Sequence, residues 1–158
     1  MRAPVVLSVV ASVATALNAG VFFAFSTFVM RAVDDLGPAG SVRAMQEINR
    51  RAPTPAFMTL LFGSTLLALG SGVVALVGAG PGRWWAVAGA VAAVAALLVT
   101  IAVNIPLNQR LDRADPGGPD SADRWREFAA PWLRANHARG VLGVLASLLL
   151  AVAAVAAG

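Results

Sequence analysis

Three asparagines and one arginine carry the clearest chemical pattern in this sequence. In TIAVNIPLNQRL, Asn104 and Asn108 continue a four-residue spacing from Thr100, which puts all three on one helical face. Asn136 and Arg139 are three residues apart and share a second face. Amides supply hydrogen-bond donors and acceptors, and a guanidinium is a planar fork that suits an oxyanion. The pattern predicts a polar pocket that binds a negatively charged oxygen.

Aromatic and further amide residues accompany this pattern. Trp132 lies one helical turn before Asn136 and offers a flat apolar wall. We expect a set of substrate-binding residues around the pocket: Trp132, Asn108, Phe25, Asn18, Gln46, Asn49 and Trp125. Buried asparagines also hold membrane helices together, and we favour that interpretation for Asn18 alone. Trp84 and Trp85 are typical of the aromatic belt at a membrane surface.

His137 is the only histidine, and the chain has no cysteine. It points about 100° away from Asn136 around a helix, so we rank it below Arg139, Asn136 and Asn104 as a catalytic candidate. Thiolate-bound metals and bis-histidine haem are excluded. We predict no metal site and no cofactor; a haem or copper held by one histidine is disfavoured but left open.

Four long apolar blocks position these residues. They span about 5–30, 57–79, 84–107 and 140–158, and none contains a charged residue or histidine. Each is close to the ~20 residues that cross a bilayer. The composition agrees, with 58% hydrophobic and 13% charged residues. We predict an all-α, four-transmembrane-helix bundle forming one domain, 1–158. A cleaved signal peptide at the start is disfavoured, since the apolar run continues to Met30.

Two long polar segments, 31–56 and 108–139, fall on the same side of such a bundle. They hold ten of the twelve arginines and all eight acids. The positive-inside rule predicts that they are cytoplasmic, in a cell inner membrane, with both termini on the opposite side.

Each polar segment contains a predicted amphipathic helix. The first covers about 41–52, with Ser41 as its N-cap and Pro53 at its end. The second covers about 121–139, follows Asp120, and has Pro131 at the start of a new helical segment. From Pro131 the helix can run unbroken into the last span.

The expected partners are the lipid bilayer and a hydrophobic aromatic small molecule. The arginines are scattered among acids, which does not favour nucleic-acid binding. An ion-coupled transporter is disfavoured because the spans lack ionisable groups. Small residues at Ser64, Ala68 and Gly72 allow close helix contact, within one chain or in a homo-oligomer.

The ordered stretches GVFFAFSTFVMRAV, AMQEIN, TIAVNIPLNQRL and WREFAAPWLRANHARG resemble the anthrone oxygenase-like membrane family. The resemblance covers most of the chain and implies four spans. It also implies O2-dependent oxidation of a polyphenolic anthrone to an anthraquinone, without a resident cofactor.

Under this resemblance, Arg139, Asn136 and Asn104 would stabilise an oxyanion. Trp132 and Phe25 would stack the rings, and His137 or a positioned water would take the proton. The alternative is a non-enzymatic membrane protein that binds a small molecule or serves as an accessory subunit, because the pattern contains no strong acid or base.

Overall fold

The computed structural model describes residues 3–158, which form five helices. They are α1 (Ala3–Asp34), α2 (Gly37–Arg51), α3 (Pro55–Gly78), α4 (Arg83–Leu111) and α5 (Ser121–Ala157). All except α2 are long and apolar enough to cross a membrane. The prediction of an all-α fold with four membrane-spanning helices is confirmed, and the chain is an integral membrane protein.

The four spanning helices form a closed ring in the order α1, α3, α4, α5, with α5 returning to α1. Small residues let neighbouring helices approach closely. A Cβ added at Gly143 of α5 would lie 2.9 Å from the Ala19 Cβ of α1, and one at Gly72 would lie 3.1 Å from the Ala90 Cβ. Ser64, Ala68 and Gly72 are all buried, so this row packs within the chain.

The end of the bundle that bears both long polar segments is called here the loop-side end. A cluster of larger side chains fills it: Met30, Val33, Val42, Met45, Leu111, Trp125, Phe128 and Trp132. Helix α2 lies across this end. Its outer face carries Glu47, which pairs with Arg50 and Arg51, and the hydrogen bond from Arg51 lowers the pKa of the Glu47 carboxyl.

Two predicted helix starts are wrong. Helix α2 begins at Gly37, because Pro38 in its first turn has a φ angle already suited to a helix. Ser41 is therefore inside the helix, where its buried hydroxyl donates to the carbonyls of Val33 and Gly37, each at 2.8 Å.

Pro131 does not start a segment either. It lies inside α5, which is continuous from Ser121 to Ala157 and includes the second predicted amphipathic helix. The proline lacks the N–H that would bond to the Glu127 carbonyl. Glu127 is exposed, so solvent can satisfy that carbonyl and the helix tolerates the proline.

Candidate functional site

A cavity of about 240 Å³ lies at the loop-side end, between the spanning helices and beneath α2. All five helices contribute to its wall. The lining residues are Val21, Phe22, Phe25, Met45, Ile48, Asn49, Ala52, Pro53, Phe57, Met58, Leu61, Phe62, Thr100, Asn104, Ile105, Asn108, Trp132 and Arg139. The volume is slightly below the roughly 300–1,000 Å³ of typical small-molecule sites. The wall is mostly apolar, with a few polar groups on α2, α4 and α5.

A widened π-helical turn lies next to the cavity in each of two helices. In α4 it spans Thr100–Asn104, where the Ile105 N–H bonds five residues back to the Thr100 carbonyl. Pro106 follows directly; it lacks an N–H, and its ring would clash with the carbonyl four residues earlier. In α1 the widened turn spans Phe25–Val29. Such turns often occur at functional sites, and here they carry Phe25, Thr100 and Asn104.

Arg139 places a buried guanidinium against the cavity. The residue is 8% exposed, and its Nε and Nη2 donate to Asn136 Oδ1 at 3.1 and 2.8 Å. Its guanidinium carbon is 4.2 Å from the centroid of the Phe22 ring and 5.3 Å from that of Trp132. Among residues 3–158, no carboxylate lies within salt-bridge distance of it. A buried cation without a counter-charge is costly, so an anionic ligand would be strongly favoured here.

Asn136 holds this guanidinium in position. It is fully buried, and its Nδ2 donates to the Phe22 carbonyl and to Ser26 Oγ, each at 2.7 Å. These two bonds to α1 orient the amide so that Oδ1 faces Arg139. Since its hydrogen-bonding capacity is used within the protein, Asn136 acts on the site through Arg139.

Asn104, unlike Asn136, does not use all of its hydrogen-bonding capacity within the protein. The residue is 1% exposed, and its Nδ2 donates to the Trp132 carbonyl at 3.3 Å. Its Oδ1 is buried and has no hydrogen-bond partner among the described residues. A buried acceptor left unpaired costs about 1–3 kcal/mol, and a ligand that donates a hydrogen bond would remove that cost.

The aromatic wall is also positioned by hydrogen bonding. Trp132 Nε1 donates to Asn108 Oδ1 at 2.8 Å, which keeps the indole at the cavity edge. The ring centroids of Phe25 and Trp132 are 5.7 Å apart. The cavity therefore offers aromatic faces beside the guanidinium, an arrangement that suits a flat ligand bearing oxygen.

The structure brings most of the candidate residues together. Arg139, Asn104, Asn108, Trp132, Phe25 and Asn49 line the cavity, and Asn136 supports Arg139 from behind. Asn49 also donates to Asp112 at 3.2 Å, which links α2 to the end of α4.

Four candidates lie elsewhere. His137 is exposed in a groove on the outer surface formed by α1 and α5. Gln46 donates to the carbonyls of Leu111 and Ala114, each at 2.9 Å. Trp125 Nε1 donates to Asp34 at 2.6 Å, and Asn18 lies 3.5 Å from Ser64 Oγ. None of these four residues lines the cavity.

The sequence reasoning missed several residues of the wall. Thr100 was part of the four-residue row on α4, and its hydroxyl lies 3.4 Å from Arg139 Nη1. Phe22, Met45 and Met58 also line the cavity, and the sequence pattern does not indicate them. No local signal separates an apolar side chain at a cavity from one in a packed core.

These features define a class of protein: an integral membrane four-helix bundle with a cavity lined by a guanidinium, amides and aromatic rings. The model of the anthrone oxygenase family matches residues 43–149. The chain belongs to this family, which confirms the resemblance noted from the sequence. Comparisons with curated proteins and with solved structures gave no match. The family match covers the α2, α3 and α4 walls and most of α5, while the α1 wall precedes it.

Proposed function

We propose that this protein is a membrane oxygenase that uses O2 to oxidise an anthrone-type polyphenolic aromatic in the loop-side cavity. The main support is that one cavity wall contains both a buried cation without a counter-charge, Arg139, and a residue with an unpaired buried acceptor, Asn104 Oδ1. A hydroxylated aromatic ketone that forms an oxyanion can satisfy these two groups at once. Family membership is consistent with this substrate class.

The reaction balances with O2 as the only co-substrate. An anthrone has a CH2 group opposite its ring carbonyl, and loss of one proton gives an anion with charge on the carbonyl oxygen. This anion passes an electron to O2, and the oxygen species recombines at the former CH2 carbon as a hydroperoxide. Loss of water then leaves a second carbonyl, so anthrone and O2 give anthraquinone and water.

The protein's contribution to this scheme is electrostatic and positional. Arg139 stabilises the developing oxyanion in a site shielded from water, where such an interaction is strong. Asn104 Oδ1 accepts a hydrogen bond from a ring hydroxyl of the substrate. Phe25 and Trp132 contact the ring faces. We assign the proton to a water in the cavity rather than to His137, because His137 lies in the outer groove.

The proposed reaction has no resident cofactor. The polar groups that line the cavity are amides, a hydroxyl and a guanidinium, and none of these is a typical ligand for haem or copper. Within residues 3–158 there is no group of three metal-ligating side chains. The absorption spectrum of the purified protein tests this point, since a haem band would contradict a cofactor-free site.

Substitution of the two key residues tests the oxygenase. We expect Arg139→Ala to lower O2 uptake with a hydroxyanthrone at least about a hundred-fold, the scale of losing one oxyanion donor. Asn104→Ala removes an acceptor for a substrate hydroxyl and should lower O2 uptake about ten-fold, the scale of one hydrogen bond. Arg134→Ala is the matched control, because Arg134 is exposed on the same helix. Full activity in the Arg139 and Asn104 variants would disprove the proposed site.

One observation favours a second candidate, a non-enzymatic small-molecule binder or accessory subunit. Among the described residues, Arg139 is the only charged side chain lining the cavity, and no carboxylate or imidazole of that part of the chain accompanies it there. Quenching of the protein's tryptophan fluorescence by a hydroxyanthrone, without any O2 uptake, would favour this binder over the oxygenase.

A further inference from the structure

The cavity wall is exposed on one side only. Its three exposed residues are Pro53 and Phe62, on the α3 side, and Ile105 of α4. Phe62 is 45% exposed and Ile105 is 40% exposed. The groups on the opposite wall, Arg139 and Trp132, are buried. The cavity therefore reaches the protein surface between α3 and α4.

The packing of α4 explains this opening. Helix α3 packs along Arg83–Val99 of α4, whereas Thr100–Leu111 packs on α5 and α2 instead. The change of neighbours begins at the widened turn before Pro106. As a result, the loop-side parts of α3 and α4 diverge, and only side chains border the gap.

Phe62 and Ile105 place the opening within the membrane-spanning part of the bundle, and Pro53, just before α3, marks its loop-side edge. At 1.5 Å per residue, Phe62 is about 10 Å along α3 from Pro55, and Ile105 is about 9 Å from Leu111. The surface around it is apolar and exposed, with Leu66 on α3 and Ile101 and Val103 on α4. This surface faces lipid.

The side of the cavity towards the polar segments is held by hydrogen bonds. Gln46 donates to the Leu111 and Ala114 carbonyls, and Asn49 donates to Asp112. These bonds fasten α2 across the end of α4. Entry past α2 would require breaking them, whereas entry between α3 and α4 meets only the side chains of Phe62 and Ile105.

We infer that a neutral, flat aromatic molecule dissolved in the bilayer enters the cavity laterally, between α3 and α4, past Phe62 and Ile105. Phe62 and Ile105, which flank the opening in the spanning helices, are apolar, and so are the exposed side chains around them, so an ionic ligand would find no partner along this path. The ligand arrives neutral and becomes an anion only beside Arg139. The inference rests on the proposed function for the ligand class, and the route itself rests on the packing.

Photolabelling with benzophenone, a neutral aromatic ketone that partitions into membranes, tests this route. On irradiation its carbonyl abstracts a hydrogen atom from a nearby C–H bond and the two radicals combine, which marks the residue for mass spectrometry. With the full-length protein in lipid vesicles, we expect labelling of Met58 and Met45 in the cavity. A sulfonated benzophenone in the water should leave both unlabelled, although Arg139 would attract its charge.

Variants at the opening make the test specific. Ile105→Trp narrows it and should lower the rate of Met58 labelling about ten-fold, whereas Phe62→Ala widens it and should raise that rate. Val77→Trp, on the exposed surface at the other end of α3, is the matched control and should change nothing. Circular dichroism checks folding; if Ile105→Trp fails to fold, Phe62→Ala decides.

Lateral entry would be overturned by any of three results: no labelling in the cavity, unchanged rates in the variants at the opening, or equal labelling by the sulfonated probe. Because benzophenone is not a substrate, labelling reports entry alone. If Arg139→Ala remained active, the oxygenase proposal would fail and the labelling result would still report the entry route. If labelling failed, lateral entry would be overturned and the oxygenase proposal would be unaffected.

Discussion

At the scale of single residues, two buried asparagines of the candidate site have different tasks. Asn136 makes hydrogen bonds to α1 and to Arg139, and it joins two helices through a buried cation. Asn104, which lines the cavity, makes one hydrogen bond and keeps a buried, unpaired oxygen. We therefore expect Asn136 to serve the fold as well as the proposed site, and Asn104 to serve chiefly the proposed ligand.

This difference predicts that alanine substitution of the two asparagines has unequal effects on stability. Asn136→Ala removes the only acceptor that engages Arg139 Nε and Nη2, so we expect it to cost about 2 kcal/mol or more of stability. Asn104→Ala removes one ordinary hydrogen bond together with the unpaired oxygen, so its stability should stay within about 1 kcal/mol of the parent. Unfolding in detergent, followed by circular dichroism, measures the free energy of unfolding of the two variants. Equal losses of stability would contradict the assignment.

At the scale of helices, glycine sets how closely α1 and α5 approach. Gly143 faces Ala19 across this contact, with no room for a methyl group. Gly20, the next residue on α1, has open space around it. The same contact brings the Phe22 carbonyl and Ser26 within reach of Asn136, so helix spacing and site geometry are linked.

We expect Gly143→Ala to push α1 away from α5 and to destabilise the protein by about 1–3 kcal/mol, as overpacking of a core does. Gly20→Ala adds the same methyl group in open space and should be neutral or slightly stabilising. The stabilities of the two variants are compared by their midpoints of thermal unfolding in detergent. A neutral Gly143→Ala would show that the α1–α5 contact is looser than the structure indicates.

At the scale of the whole molecule, the orientation in the membrane is a proposal from charge distribution. The two long polar segments hold most of the arginines, so we propose that they face the cytoplasm across the inner membrane. The loop-side cavity would then lie near the cytoplasmic surface, and O2 and the aromatic substrate could reach it through the lipid.

The absence of cysteine from the sequence allows a direct test of orientation. Arg43→Cys on α2 should react with a membrane-impermeant maleimide only after the cells are permeabilised. Gly80→Cys, in the short turn between α3 and α4, should react in intact cells because it lies on the opposite side. The reverse pattern of labelling would invert the proposed topology.

The sequence by itself determined the fold class and the location of the polar residues along the chain. Four uncharged apolar blocks of bilayer length have few structural alternatives, because backbone groups in lipid must be bonded within helices. The four-residue row on α4 likewise located Asn104 and Asn108, because helical periodicity is a local property.

Only the tertiary structure decided which of these residues share a cavity. His137 and Asn136 are adjacent in sequence, yet rotation of α5 puts one at the outer surface and the other in the core. Trp125 and Trp132 are seven residues apart and share one face of α5. Trp125 nevertheless donates a hydrogen bond to Asp34, whereas Trp132 lines the cavity. Helix rotation, the widened turns and the divergence of α3 from α4 arise from contacts between distant segments, which no local pattern encodes.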